Sequence, residues 1–410
     1  MSDAALRALS LAGLPAIVAI AWLFSTERRR MPWRVVVWGT ALQLGLALLL
    51  LRTAAGRRVF VATNDAVNGL VRFTDAGTRF VFGPLEDVGF SFAIQVLPII
   101  IFMGSIFAIL YHLGVVQRVV VVMARGLARS MGTSGAESLA AVANIFVGMV
   151  EAPLMVRPYL ERMTRSELFC VMTTGMASIA GSVLVAYAKM LGQADYAGHL
   201  VTASLLSAPA GVLIAKVMVP ETESPLTGAA AGALIERTSV NLIDAAAEGA
   251  LAALRLAAYV GGLLIAFVAL VAMTNAGVET LGGWLGVEGL TLQRVFGWVF
   301  APLALLMGIA PGEAAQVGSL LGLKTVLNEF LAYQDLASRI AAHTLSERSA
   351  VIASYGLCGF ANFGSLAILI GGMGGMAPSR RGEIAELGLR SILAGTLASL
   401  MTGSVAGMLL

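Results

Sequence analysis

The sequence has little with which to meet water or to build an enzyme. Of its 410 residues only 12% are charged, against 58% hydrophobic, where soluble domains carry about 25% charge. That shortage excludes a water-exposed globular domain. Two cysteines and three histidines leave no disulfide framework and no cluster of soft metal ligands. Cys170 and Cys358 sit in or beside apolar runs and read as small core residues. No HExxH, paired CxxC, GxSxG or phosphate-binding loop occurs, so neither metal-dependent nor ATP hydrolysis has visible machinery. A formal net charge of +3 carries no electrostatic footprint for nucleic acid, and none is expected as a partner.

What is present is apolar sequence in blocks. Windows near the ~20 residues that cross hydrocarbon recur at about 8–25, 33–51, 91–113, 168–189, 197–219, 250–273, 350–373 and 385–409. They predict about eight transmembrane helices in an all-α integral membrane protein. They are too long, and alternate too little, for a transmembrane β-barrel. Met1–Leu11 is neither strongly basic nor followed by a small-residue cleavage pattern, so the first window is expected to be a span rather than a signal peptide. Basic clusters at 26–34, at Arg118, Arg125 and Arg129, at Arg157, Arg162 and Arg165, and at Arg380 and Arg381 put those loops in the cytoplasm and the N-terminus outside. Arg52, Arg57 and Arg58 then fall on the opposite side. Nothing in 56–88 decides whether that stretch is an ordered surface helix.

Two stretches, 134–165 and 311–346, are too polar and glycine-rich for clean spans yet too apolar for solvated loops. Irregular backbone at membrane depth must be wrapped in protein or line a watery cavity, and re-entrant hairpins satisfy that requirement. Internal repetition points the same way. "VQRVVVVMARGLARSMGTSGAESLA" (116–140) aligns without a gap on "LQRVFGWVFAPLALLMGIAPGEAAQ" (292–316), pairing Gln117 with Gln293, Arg118 with Arg294, Met131-Gly132 with Met307-Gly308, and Glu137 with Glu313. Each copy leads into a hairpin carrying a buried acid, Glu151 or Glu329, and then a span broken midway, at "GMASIAGSV" (175–183) or "GLCGFANFGSLA" (356–367). An odd number of spans separates the copies, so they enter the membrane from opposite sides. Inverted repeats with interrupted helices are the build of secondary transporters, whose site lies between the halves at the midplane.

An acid at membrane depth is costly and therefore a functional candidate. Glu151 and Glu329 either serve such a site or cap broken helices, and Lys324, in "GLKTVLNEFLAY" (322–333), is a candidate partner for Glu329. Glu137 and Glu313 open the hairpins and are expected to cap helices near the surface. Asn144, Ser178, Asn362 and Ser365 lie in or beside the breaks. There they either bond across helices or, with freed carbonyls, coordinate a hard cation such as Na⁺. His112 is expected at the interface.

With these residues in view, the chain resembles the concentrative nucleoside transporter family. "GMVEAPLMVRPYL" (148–160) is similar to that family's GQTEAPLxxxPYL, "GLKTVLNEFLAY" to GxKxxxNEFVAY, and "LCGFANFGSLAILIGGMGGMAP" (357–378) to CGFANFSSxAILIGGxGGxAP. The likeness runs in order from about residue 91 to the end. It implies a homotrimer of eight-span protomers with two re-entrant hairpins, in which a scaffold holds an elevator-like transport domain, in the bacterial inner membrane. It places Glu329, Asn362 and Ser365 at the ribose hydroxyls, with Asn328 and Phe360 beside them. Gly148, Met149, Val150, Glu151 and Val183 fall near the nucleobase. The sodium ligands map to Asn144, Ser178 and the carbonyls of Val147 and Ile179, so Na⁺ is the expected co-transported ion. The implied division is 1–113, mainly scaffold; 114–220, first repeat; 221–280, cytoplasmic loop and scaffold span; and 281–410, second repeat. Where the family has Gln-Thr this chain has Met149-Val150, and Gly364 replaces a serine, which puts base preference in question and admits an unusual nucleoside. Proton coupling through Glu151, an intramembrane hydrolase using Glu151 and Glu329, and a passive channel are the competing readings.

Overall fold

The computed structural model describes residues 2–88, 91–192, 196–227, 239–284 and 286–410; part of the expected loop in 221–280, residues 228–238, lies outside them. Among the described residues there is no strand. The first helices, α1 (Asp3–Leu23), α2 (Trp33–Arg52) and α3 (Ala54–Phe82), are followed by the short α4 (Phe92–Gln95) and by α5 (Leu97–His112). Residues 56–88, undecided in the sequence, are therefore mostly the helix α3. Its few buried residues, among them Val67, Val71, Thr74 and Thr78, recur every three to four positions along one face, the spacing of a helix laid on a surface.

The first repeat comprises α6 (Val115–Met131), α7 (Gly135–Ala143), the four-residue α8 (Glu151–Leu154) and α9 (Arg157–Leu160), α10 (Arg165–Ala177), α11 (Gly181–Leu191) and α12 (Tyr196–Met218). After the 43-residue α13 (Leu242–Trp284) comes the second: α14 (Leu292–Leu306), α15 (Pro311–Val326), α16 (Glu329–Ala341), α17 (Glu347–Leu357), α18 (Phe363–Met376) and α19 (Arg381–Leu409). The hairpins are thus α7 to α9 and α15 to α16. At ~1.5 Å per residue α13 is about 65 Å long, twice the ~30 Å of hydrocarbon; the apolar window 250–273 is only its middle.

The repeated Met-Gly dipeptide has a geometric reason. Gly132 and Gly308 both adopt the left-handed conformation, with φ 75° and 81°, which costs glycine nothing and other residues about 1 kcal/mol or more. Each ends one helix and turns the chain into the next; the bend between α14 and α15 is 114°. Glu137 follows the first turn and forms a capping box with Ser134. Glu313 follows the second and accepts from the amide and hydroxyl of Ser346, at 2.7 and 2.8 Å.

Seven described helical stretches are long and apolar enough to cross a membrane, and they coincide with seven of the eight windows. The eighth, 350–373, is interrupted as expected, becoming α17 and α18 with Cys358–Asn362 between them. Arg52, on the side where positive charge was not expected, donates to the Leu409 carbonyl, and Arg7 to that of Leu410 at 2.6 Å. Both arginines satisfy carbonyls at the C-terminal end of α19, which attracts cations through the helix dipole.

Candidate functional site

The two interrupted helices cross at their breaks. α10 stops at Ala177 because Ser178 turns extended, φ −121° and ψ 167°. Gly359, in the other break, lies so close that a methyl group there would stand 2.9 Å from the Met176 carbonyl oxygen and 2.8 Å from the Ser399 hydroxyl. Only glycine lets the backbones meet at that distance. The Phe360 amide then donates to the Ser178 carbonyl at 3.3 Å.

On the second repeat's side, Asn328 and Asn362 each cap a helix with the side-chain oxygen. Asn328 accepts from Leu331 at 3.0 Å, Asn362 from Ser365 at 2.7 Å. Capping leaves both amide groups to point elsewhere. The Asn362 amide donates to Glu329 Oε2 at 2.9 Å, and the Tyr187 hydroxyl donates to Oε1 at 2.8 Å. Glu329 is 3% exposed and opens α16, where the helix N-terminus favours an anion. An ionised carboxylate offers about four acceptor directions; two are used by these side chains. Phe360 is partly buried and Ser365 buried, on the same interrupted helix.

On the first repeat's side, Asn144 ends α7. Its amide donates to the Ala140 carbonyl at 3.0 Å, while Oδ1 is buried with no hydrogen-bond partner. The Ser178 hydroxyl lies 3.0 Å from the Thr174 carbonyl and 3.3 Å from that of Asn144. The Val147 and Ile179 carbonyls, in the adjoining irregular segments, accept no hydrogen bond from described residues. An orphaned buried amide oxygen costs about 1–3 kcal/mol. Oxygen donors without hydrogens are what a hard monovalent cation binds, so this donor set fits Na⁺.

Two expectations need correction, those for Glu151 and Lys324. Glu151 is exposed, not buried: it opens the four-residue α8 at the hairpin tip and turns back over Gly148, where a methyl group would lie 2.2 Å from Oε2. Lys324 forms no ion pair with Glu329; its ammonium is held by the Gly356 carbonyl and Ser399. The five-residue spacing crosses the hairpin turn, so the two side chains diverge. His112 is held by Ser239, 2.7 Å away. Of the dipeptide, Met149 is buried against Gly175, and Val150 packs on Gly372, whose added methyl would stand 2.8 Å from its Cγ1. Val183 is buried on α11.

Tyr187 is the residue the sequence reading missed. It lies one helical step, four residues, from Val183 on the same face, and that spacing was the available signal. Its ring stacks on Tyr333 at 4.4 Å and meets Phe330 edge-on at 4.8 Å.

Sequence profiles of one family cover most of the chain: "Na+ dependent nucleoside transporter N-terminus" over 12–85, "Nucleoside recognition" over 93–194 and "Na+ dependent nucleoside transporter C-terminus" over 199–407. The chain is 46% identical to an uncharacterized transporter of Haemophilus influenzae, covering 97% of both. It is 40% identical to human solute carrier family 28 member 3, covering 98% of this chain and 60% of that one. Among solved structures it resembles CNTnw in an inward-facing substrate-bound state, with 43% identity, a TM-score of 0.92 and 98% of both chains covered. It also resembles a CNTnw variant in an outward-facing state, with 42% identity, a TM-score of 0.93 and 98% and 97% covered. Fold, crossing breaks and these likenesses agree: the chain belongs to the concentrative nucleoside transporter family.

Proposed function

We propose that this chain is a sodium-coupled symporter that imports nucleosides across the bacterial inner membrane, as a homotrimer working by an elevator movement. The observation that carries sodium coupling is the buried, unpartnered Asn144 Oδ1 beside Ser178 and the free carbonyls of Val147 and Ile179. Na⁺ relieves the unmet acceptor and joins hairpin 1 to the break of α10 and α11. The Glu329 carboxylate, fixed by Tyr187 and Asn362, keeps acceptor capacity for ribose hydroxyls, with Ser365 and Asn328 beside it and Phe360 against the sugar. Gly148, Met149, Val150, Glu151 and Val183 form the base side. Segment 114–220 and segment 281–410 move together against a scaffold of 1–113 and 221–280. The apolar Ile265, Met273 and Trp284 on α13, exposed in one protomer, give that scaffold its surface for lipid and for neighbouring subunits.

Purified protein in liposomes, loaded without sodium, tests this. Labelled uridine should accumulate above its external concentration under an inward Na⁺ gradient and not under an equal choline gradient. Accumulation driven by an inward pH gradient alone would transfer the coupling to protons and to Glu151, and equilibration without accumulation would make the protein a passive pathway. A modified nucleoside that outcompetes uridine would reassign the cargo.

A further inference from the structure

Lys324 is the most deeply buried cation of the second repeat, 1% exposed, and the transport reading gives it no task. Its Nζ donates to the Gly356 carbonyl at 3.0 Å and to Ser399 Oγ at 3.1 Å. Among the described residues no carboxylate lies within ion-pair distance of it. Gly356 belongs to the last turn of α17, the negative end of an interrupted helix. Interrupted helices in transporters coordinate cations at such ends.

The first repeat has the same parts in the same order. Asn144 comes from the first arm of hairpin 1 and meets Ser178 where α10 stops. Lys324 comes from the first arm of hairpin 2 and meets Gly356 where α17 stops. The arms themselves correspond, since α7 begins at 135 and α15 at 311, and Glu137 aligns with Glu313, a register that sets Lys324 one helical turn beyond the position of Asn144. The difference is in charge. The first repeat presents the unpartnered Asn144 Oδ1 and the free Val147 and Ile179 carbonyls; the second presents an ammonium already bonded.

We propose that Lys324 is a tethered cation: its ammonium takes in the second repeat the place that the transported cation takes in the first. One of two related cation positions is thereby filled by the protein, and one remains for a mobile ion. The tethered charge stabilises the carbonyl end of α17 through the cycle, which keeps the break open at Cys358–Asn362 and so holds Asn362 on Glu329. The role rests on the sodium-symport reading for the mobile ion, but not for the ammonium itself.

Lys324→Ala and the uncharged, similarly long Lys324→Met separate this from packing, each reconstituted as the full chain. The unaltered protein is measured first; if its uptake ignores Na⁺, the symport reading fails, and ammonium rescue still tests the tethered charge. Both variants should lose at least about nine-tenths of uptake. In Lys324→Ala, n-butylammonium should restore uptake at least several-fold while 1-butanol does not. Sodium should also enter the freed oxygens, so that the Hill coefficient for Na⁺ rises from about 1 toward 2, because two linked cation sites now have to fill. Thermal unfolding in detergent gives a readout independent of transport: butylammonium should raise the melting temperature of Lys324→Ala and leave the unaltered protein unmoved. Wild-type sodium dependence in Lys324→Ala would overturn the proposal. So would absence of rescue in both assays, or failure of both variants to fold even with butylammonium present.

Discussion

The backbone amide of Phe360 donates to the carbonyl of Ser178 across 3.3 Å, so the interruption of one membrane helix is bonded to the interruption of the other. On one side, Ser178 touches Asn144 through its hydroxyl, 3.3 Å from the Asn144 carbonyl. On the other, the Asn362 amide nitrogen reaches the Phe360 carbonyl at 2.8 Å, and its side chain donates to Glu329. The proposed ion ligands and the proposed ribose ligand thus lie at the two ends of one run of hydrogen bonds.

Coupling through that run has a measurable sign. Asn144→Ala and Ser178→Ala each delete an oxygen from the ion site and should raise the Na⁺ concentration for half-maximal uptake by roughly tenfold, the effect of losing about 1.4 kcal/mol. Because binding of ion and substrate is reciprocal, nucleoside affinity at low Na⁺ should fall by the same coupling factor. Calorimetric titration of nucleoside at two sodium concentrations checks it. Unchanged sodium dependence in both variants would remove Asn144 and Ser178 from the ion site.

Glu329→Gln should abolish nucleoside binding while the protein still assembles. The substitution keeps shape but removes an anionic acceptor, and it turns one oxygen into an amide facing the donors Tyr187 and Asn362. A charge-assisted bond is about twice as strong as a neutral one. Elution volume in size-exclusion chromatography should not change, whereas uridine should no longer shift the melting temperature. A 2′,3′-dideoxynucleoside should compete poorly against the unaltered protein; competition equal to that of its parent would take the ribose away from Glu329.

Tyr187→Phe isolates the residue that no motif announced. The ring keeps its stack on Tyr333 and its edge contact with Phe330, so packing survives. The carboxylate loses one donor, and an unmet buried acceptor costs roughly 1–3 kcal/mol, which is 5- to 150-fold in affinity. Nucleoside affinity should drop within that range because the carboxylate is no longer fixed toward the ribose, and the melting temperature should fall with it. A fall in stability without a fall in affinity would make Tyr187 a packing residue only.

These residues also mark what the sequence could and could not announce. Breaks and hairpins were legible because polar and glycine residues inside apolar runs have few physical solutions in a membrane, and the left-handed Gly132 and Gly308 left the same dipeptide in both repeats. The pairing of charges was not legible. Lys324 and Glu329 are neighbours in sequence, but the turn between α15 and α16 sends one to Gly356 and Ser399 and the other to Tyr187 and Asn362. Partners 142 residues apart leave no periodic trace. Exposure of Glu151 escaped for another reason: hydropathy reports the depth of a segment, not which side chains at its tip are exposed.

Met149-Val150 carries the prediction that reaches furthest into specificity. Val150 packs on Gly372, seven residues beyond Ser365 on α18, and a seven-residue step returns to the same helix face. The dipeptide therefore lies along the face that carries a proposed substrate ligand, with Met149 directed to Gly175 beside Asn144 Oδ1. Restoring polarity by Met149→Gln and Val150→Thr adds an amide and a hydroxyl where a base edge is proposed to lie. Each new bond there is worth about 0.5–1.5 kcal/mol, and its strength depends on which donors and acceptors the base presents. The double variant should therefore bind ordinary nucleosides more tightly, and it should change their order, because uridine, cytidine, adenosine and inosine offer different edges. If the dipeptide only fills space between helices, the new polar groups are buried without partners. Abundance and melting temperature then fall while the order stays as it was. Competition by the four nucleosides against one labelled substrate, on both proteins, reads the order directly, and an unaltered order would assign base preference to other residues.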